Sequence, residues 1–342
     1  MSLVVVDADV LGRRRTGDET YVLELLRELA ALAPAAGLRI AAATRRPELV
    51  PEGIEPLRLA TPLQELRMLW TLPRLLRRVG AALVHTQYAL PVAAPCPGVV
   101  TIHDLSFERD ASLMPRRDRV VFKAVVPRAA RRARRVLTVS ERTKADLVEL
   151  YGLPPEHVVV TPNGVSPAFT PADGISGKEP QTRYALAVGA VEPKKNQLAA
   201  AAAARAAGLP LVVAGPEKDA ALAAELRARG ADLRGYVEQP ELVELYRGAA
   251  CLVQASRFEG FGLPVLEAMA CGTPVVAVDE PALREVAGDA AVFVDEAGLA
   301  EGIARALAER ARLVPAGLER ARRFGWRATA EATLRVYLEA LA

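Results

Sequence analysis

The stretch EGFGLPVLEAMACGTPVV, residues 259–276, carries two glutamates, Glu259 and Glu267, eight positions apart across a loop that holds Gly260 and Gly262. Two carboxylates near one bound molecule can serve as acid and nucleophile, as in glycoside hydrolysis. They can also accept hydrogen bonds from different parts of a ligand. The loop follows the apolar run CLVQAS (251–256), Pro264 stands where a helix begins, and Gly272 is placed to end it. A glycine loop opening a helix offers unpaired backbone N–H groups to an anion, aided by the helix dipole. Glu259 then precedes the loop at the carboxyl end of a strand. Glu267 is expected in the first helical turn, within reach of a sugar hydroxyl. The plainer reading is that both glutamates cap or solvate the helix. The agreement of strand, paired glycines, helix-start proline and second glutamate favours a ligand site.

Other residues invite a chemical reading. VEPKKN (191–196) puts Lys194 and Lys195 at a predicted helix start, where lysine is electrostatically disfavoured. That conflict points to an anionic ligand, against a merely solvated helix start. There are three histidines, and His85 and His103 end predicted strands, with Asp104 following His103. A histidine in an apolar run is commonly just a satisfied core residue, and His157 reads as surface. Asp7 and Asp9 form a D-x-D pattern at the end of the first apolar run, but no further carboxylate or histidine cluster accompanies them. A metal site is therefore rejected. The loop GRRRTGDETYV that follows has Gly17 at its turn and arginines that bind acidic groups or are simply solvated.

The elements that must position these residues are legible from hydropathy. Apolar runs at 3–7, 39–44, 82–86, 98–104, 135–140 and 157–164, then at 184–189, 211–215, 233–237, 251–256, 274–278 and 291–295, read as strands. Their continuous rather than alternating apolarity marks strands buried on both faces, hence parallel sheets under helices. Helices are expected between them, among others at 20–33, 141–151, 194–207, 217–229, 239–249 and 264–271. Such alternation gives doubly wound α/β domains with ligands at the carboxyl ends of the strands. Residues 165–180 carry three prolines and two glycines without apolar periodicity, so the linker is placed at 166–180. The expected organisation is residues 1–165 and 181–325 as two facing Rossmann-like domains with a cleft, and a final helix at 326–342.

Composition excludes several function classes. The chain has 342 residues, 51% hydrophobic and 25% charged, enough for two cores. A net charge of +3 does not suggest nucleic-acid binding. Cys96, Cys251 and Cys271 have neither disulfide-framework nor zinc spacing. No signal peptide and no apolar stretch of membrane-spanning length is found, so a cytoplasmic location is expected. Two basic segments, 66–79 and 127–136, read as helices. The first, LRMLWTLPRLLRRV, mixes leucines, Met68 and Trp70 with four arginines. It fits an interfacial helix lying on the inner face of the plasma membrane as well as a packing helix with a solvated arginine face.

SRFEGFGLPVLEAMACGTPVVAVDEPALREVAGDAAVFVD (256–295) resembles the E-x7-E segment of the family 4 retaining glycosyltransferases of the GT-B fold. VVTIHDLSFERDASLMP (99–115), VLTVSERTKADLVELYGLPPEHVVVTPNGV (136–165) and ALAVGAVEPKKNQLAAAAA (185–203) resemble further blocks of that family, in the same order. The C-terminal segment resembles its helix that crosses back over the first domain. The resemblance implies a nucleotide diphosphate-sugar donor held by the second domain and a glycan or lipid-linked acceptor held mainly by the first. It implies catalytic roles for His103, Glu259 and Lys195. Glu259 and His103 would contact the transferred sugar, and Lys195, helped by Lys194, would clamp the diphosphate. The backbone of Gly260, Phe261, Gly262 and Leu263 would meet sugar hydroxyls or phosphates. Glu267 would hold the ribose, and Gly235 and Val237 would meet the base. Gly17 and Asp104 would lie on the acceptor side. Ala190 stands where many members carry an arginine. No metal and no cofactor are implied beyond the donor. Glu267, on the ribose side, would not serve a double displacement, and a front-face route with the leaving phosphate as base is the mechanism proposed for such enzymes.

TIHDLSF resembles mannosyltransferase members and leans the donor toward GDP-mannose. The rivals are a GT-B epimerase or phosphorylase and a catalytically silent binding or membrane scaffold subunit. The missing second-domain histidine and the missing pyridoxal-lysine motif argue against the first two. The four residues Glu259, Glu267, Lys195 and His103 together argue against the third.

Overall fold

The computed structural model describes residues 1–14, 16–172 and 184–342. The chain divides into two compact units, Met1–Gly164 with Trp326–Ala342, and Val165–Gly325. The first is built on β1 (Ser2–Asp7), β2 (Leu38–Thr44), β3 (Glu55–Arg58), β4 (Leu83–Gln87), β5 (Gly98–Ile102), β6 (Arg135–Thr138) and β7 (Val158–Val160). They form one parallel sheet in the order β3-β2-β1-β4-β5-β6-β7. The second unit holds β8 (Ala185–Val188), β9 (Leu211–Ala214), β10 (Asp232–Gly235), β11 (Cys251–Gln254), β12 (Val275–Val278) and β13 (Val292–Val294). These are parallel in the order β10-β9-β8-β11-β12-β13. Both orders are doubly wound, so each sheet reverses direction once, between β1 and β4 and between β8 and β11.

The sheets form because their strands are apolar throughout. Val4, Val5, Val84, Val99, Val100, Leu186, Leu252 and Val276 have no measurable exposure, and each such side chain contributes about 1.5–3 kcal/mol by leaving water. Helix starts are fixed locally. Ser140 Oγ accepts from the Thr143 amide at 3.1 Å, and the Asp219 carboxylate from the Leu222 amide at 3.0 Å, as caps do.

Twelve of the thirteen strands follow the apolar runs, and β3 does not. Its sequence EPLR has one buried side chain and a proline, a combination found on sheet edges, and β3 is an edge strand. The basic segment 127–136 is not a separate helix. It comprises the end of the helix Arg116–Arg132, which tolerates Pro127, and the start of β6. Residues 166–172, expected as linker, pack on the second unit: Phe169 meets Tyr246 at a centroid distance of 5.9 Å, and Arg247 Nε donates to the Thr170 carbonyl at 2.8 Å. The rest of that expected linker, 173–180, lies outside the described residues.

The helix Trp326–Leu341 belongs to the first unit and buries Trp326, Thr329, Ala330, Thr333, Val336, Tyr337 and Ala340. That is a stripe at three- and four-residue spacing, the signature of a helix docked along one face. Thr329 Oγ1 ties it to the Pro162 carbonyl at 2.5 Å.

Candidate functional site

At the β8/β11 switch point, two chain segments come together outside the strand ends. One runs from β8 through Gly189 and Ala190 into the short turn Pro193–Lys195, and the other from β11 into the loop 255–262. Lys195 Nζ donates to Glu259 Oε1 at 2.7 Å, and Gln254 Nε2 donates to the same oxygen at 2.7 Å. Gln254 also reaches Ser256 Oγ at 2.9 Å. Burial pushes the Glu259 carboxyl up, but the charges of Lys195 and Lys194 and the hydrogen bonds from Lys195 and Ser256 outweigh it. The carboxylate is therefore held below its usual range and stays ionised. The result is a nearly buried ammonium with a fixed direction, bound to a buried carboxylate. Lys194 lies with its Nζ 5.9 Å from the centre of the Phe258 ring, and its carbonyl accepts from the Arg257 amide at 3.0 Å. Ala190 offers its carbonyl to Gln197 Nε2 at 2.7 Å.

The glycine loop follows. Gly260 and Phe261 are buried, and Gly262 caps the helix Leu263–Ala270 with φ of 113°. A Cβ on Gly262 would stand 2.7 Å from Leu283 Cδ2, so both the backbone angle and the space require glycine. Pro264 is the second helical residue and Leu263 the first. Glu267 is the fifth, so it does not lie in the first turn as expected; the helix starts at Leu263 and carries the glutamate one turn further in. There Tyr246 donates its hydroxyl to Glu267 Oε2 at 2.8 Å. The other carboxylate oxygen accepts no hydrogen bond from the described residues. Burial raises the Glu267 pKa to about 7 despite the tyrosine hydrogen bond.

Two strands away, Gly235 ends β10 and its carbonyl accepts from the Gly215 amide at 2.8 Å, with Val237 half-buried beyond it. Gly215, just past β9, presses on the end of β8: a Cβ there would be 2.0 Å from the Gly189 carbonyl oxygen. The carboxyl edge of this sheet is thus a shelf of close-lying backbone.

In the first unit His103 follows β5 and is nearly buried. Its Nε2 lies 3.0 Å from Gln87 Oε1 and its ring meets Tyr21 edge-on at 4.8 Å. Asp104 Oδ1 accepts from the amide and hydroxyl of Ser106 at 2.9 and 2.7 Å, which starts the short helix Ser106–Arg109. Gly17 is not in the turn but is the second residue of the helix Thr16–Leu32. His85 is a core histidine with both ring nitrogens engaged, by Tyr337 and Thr101. Asp7 and Asp9 are buried with Arg67, which bonds to both, while Arg13 and Arg45 also reach Asp9. Arg67 therefore does not belong to a solvated arginine face. It bridges two buried carboxylates, and its charge offsets their desolvation together with that of Arg13 and Arg45.

Lys194, Lys195 and Glu259 are brought together around one carboxylate, and Glu267 instead faces Tyr246. Gln254, Tyr246, Tyr21 and Gln87 went unnoticed in the sequence. Gln254 had one signal, a polar residue inside an otherwise apolar strand.

Residues 15–169 match the model of Glycosyltransferase Family 4, and residues 170–329 that of Glycosyl transferases group 1. O-antigen chain mannosyltransferase B of Escherichia coli is 29% identical over 265 residues, covering 70% of this chain and 69% of that protein. D-inositol 3-phosphate glycosyltransferase of Acidothermus cellulolyticus is 35% identical over 285 residues, or 72% of this chain and 62% of that protein's length. The fold is shared with sucrose-phosphate synthase of Thermosynechococcus elongatus at a TM-score of 0.79 and 22% identity, over 99% of both chains. Two doubly wound domains, both family models and these relatives agree: the chain belongs to the family 4 glycosyltransferases of the GT-B fold.

Proposed function

We propose that this glycosyltransferase moves a hexose, with mannose favoured, from a nucleotide diphosphate-sugar to a glycan or lipid-linked acceptor with retention at the anomeric carbon. The observation that carries the reading is the Lys195–Glu259 pair beside the glycine loop at the β8/β11 switch point. An ammonium held there meets the diphosphate, whose charge grows as the sugar leaves, so it stabilises the transition state more than the bound donor. Lys194 adds to the same field. Glu259 stays ionised and accepts from sugar hydroxyls, and the free oxygen of Glu267 accepts from the ribose. Gly235 and Val237 line the base, and His103 contacts the transferred sugar. The C1–phosphate bond breaks and the C1–acceptor bond forms on the same face, while the acceptor hydroxyl proton passes to the leaving phosphate. Lysines supply the positive charge in this reading, and no metal or cofactor is required.

We also assign a peripheral membrane contact at the cytoplasmic face to the basic helical segment 66–79. Its π-helical turn Arg67–Thr71 buries Arg67 and Met68 and leaves Leu69 and Trp70 exposed, with Leu66 exposed just before it and the Arg74 guanidinium over the Trp70 ring. No helix among the described residues is long and apolar enough to cross a membrane.

The test is a thermal-shift screen with UDP, GDP, ADP and TDP, followed by turnover of the matching sugar nucleotides with and without EDTA. One nucleotide is expected to raise Tm, since a ligand that binds only the folded state stabilises it, and its sugar donor to be consumed in either buffer. Binding without donor hydrolysis or transfer would make the chain a silent nucleotide-sugar-binding subunit.

A further inference from the structure

A buried hydrogen-bonded chain crosses the first unit from Tyr337 to Tyr21, whose ring abuts His103. Tyr337 on the helix Trp326–Leu341 places its hydroxyl 2.6 Å from His85 Nδ1. His85 Nε2 lies 2.7 Å from Thr101 Oγ1, and that oxygen lies 3.0 Å from the Tyr21 hydroxyl. The edge-on contact of Tyr21 with the His103 ring completes the path. Strand alternation explains the alignment. His85 and Gln87 share one face of β4, and Thr101 and His103 share one face of β5's line, with Gln87 and Thr101 paired in register. Tyr21, His85, Thr101 and Tyr337 are all at most 1% exposed.

Leucine or valine would fill these positions without desolvating any polar group. A buried polar chain is stable only when every member is satisfied, and then it fixes one arrangement of its side chains. Burial, with the neighbouring His103 charge, lowers the His85 pKa to about 3, so its imidazole is neutral. One nitrogen then donates and the other accepts, so Tyr337 and Thr101 take opposite roles toward the His85 ring. Rotating any one hydroxyl breaks its neighbour's bond.

We infer that Tyr337, His85, Thr101 and Tyr21 are positioning residues, through which the C-terminal helix sets the orientation of the His103 imidazole. The inference rests on the reading that His103 contacts the transferred sugar. These residues touch no substrate themselves and act only through the His103 ring. Loss of one link leaves the donor-binding unit untouched, so it alters the rate of transfer and not the capture of donor.

Tyr337→Phe removes one hydroxyl and keeps the ring, and Thr101→Val breaks the chain at its centre with nearly the same shape. Each is compared with wild type and His103→Gln by kcat, by KM for the donor, and by imidazole nitrogen resonances. With three histidines in the chain those resonances are readily assigned by substitution. The expected result is a fall in kcat of about tenfold with donor KM within about twofold, accompanied by moved His103 resonances. Should Tyr337→Phe not fold, Thr101→Val carries the test. Wild-type kcat in His103→Gln would remove the sugar contact itself, and with it the reading beneath the inference. An impaired His103→Gln beside Tyr337→Phe and Thr101→Val proteins with normal kcat and unmoved His103 resonances would overturn the positioning role alone.

Discussion

Glu259 and Glu267 are both buried acids, yet their surroundings drive them apart. Glu259 has two lysines and a glutamine amide near it and is held ionised, whereas Glu267 has one phenol and titrates near 7. Opposed environments of this kind divide the roles of two carboxyl groups. The sign of the pH effect follows from the Glu267 value. Its folded pKa lies above the ordinary 4.5, so the native state binds the extra proton and loses stability as pH rises from about 4.5 to about 7. Glutamine has no proton to lose and can still accept from Tyr246. Denaturant unfolding of Glu267→Gln and wild type at pH 5 and pH 8 should therefore show the difference moving in the variant's favour by about 3 kcal/mol. A flat difference would mean that the Glu267 carboxyl titrates in the usual range. The residue types of this site were legible, because a glycine loop between two glutamates leaves a local pattern. The partners were not, since Gln254 to Glu259 is a loop contact and Tyr246 to Glu267 joins two helices.

At the scale of elements, the edge of the second sheet depends on how closely its strand ends approach. Gly215 and Gly230 both have φ in the range that disfavours side chains, 153° and 85°. They differ in space, for nothing lies within 4 Å of a Cβ at Gly230, whereas one at Gly215 meets the Gly189 carbonyl. Gly230→Ala should cost about 1 kcal/mol, the backbone term alone. Gly215→Ala must also part β8 from β9, costing about 2 kcal/mol or more, and should shrink the thermal shift given by the nucleotide. Equal Tm losses in the two variants would show that the strand ends yield freely. Strand-level reading succeeded where apolar runs were continuous and failed at β3, whose half-exposed edge position needs no such run. It also failed at 127–136, where arginines hide the junction between a helix end and a buried strand.

For the whole molecule, the proposed membrane contact is tested at the exposed tryptophan of the segment 66–79. Trp70 is 54% exposed and the other tryptophan, Trp326, is 3% exposed, so fluorescence changes at a surface report Trp70. Vesicles containing phosphatidylglycerol should shift its emission to the blue and cosediment the protein, and purely phosphatidylcholine vesicles should do neither. Trp70→Ala with Leu69→Ser should weaken cosedimentation several-fold, as expected when apolar area and arginine charge act together. Unshifted emission with anionic vesicles would leave the exposed leucines without a membrane role.

By itself the sequence determined the two doubly wound domains, every strand but β3 and the glycine loop at the candidate site, because continuous apolar runs and glycine punctuation are local signals. Tertiary structure alone decided that Lys195 grips Glu259, that Arg67 is spent on Asp7 and Asp9, and that Tyr337 reaches His85 across more than two hundred residues. Each of these is a pairing between distant parts of the chain. A buried charge or hydroxyl must find a partner, but only the packed fold determines which one stands within bonding reach.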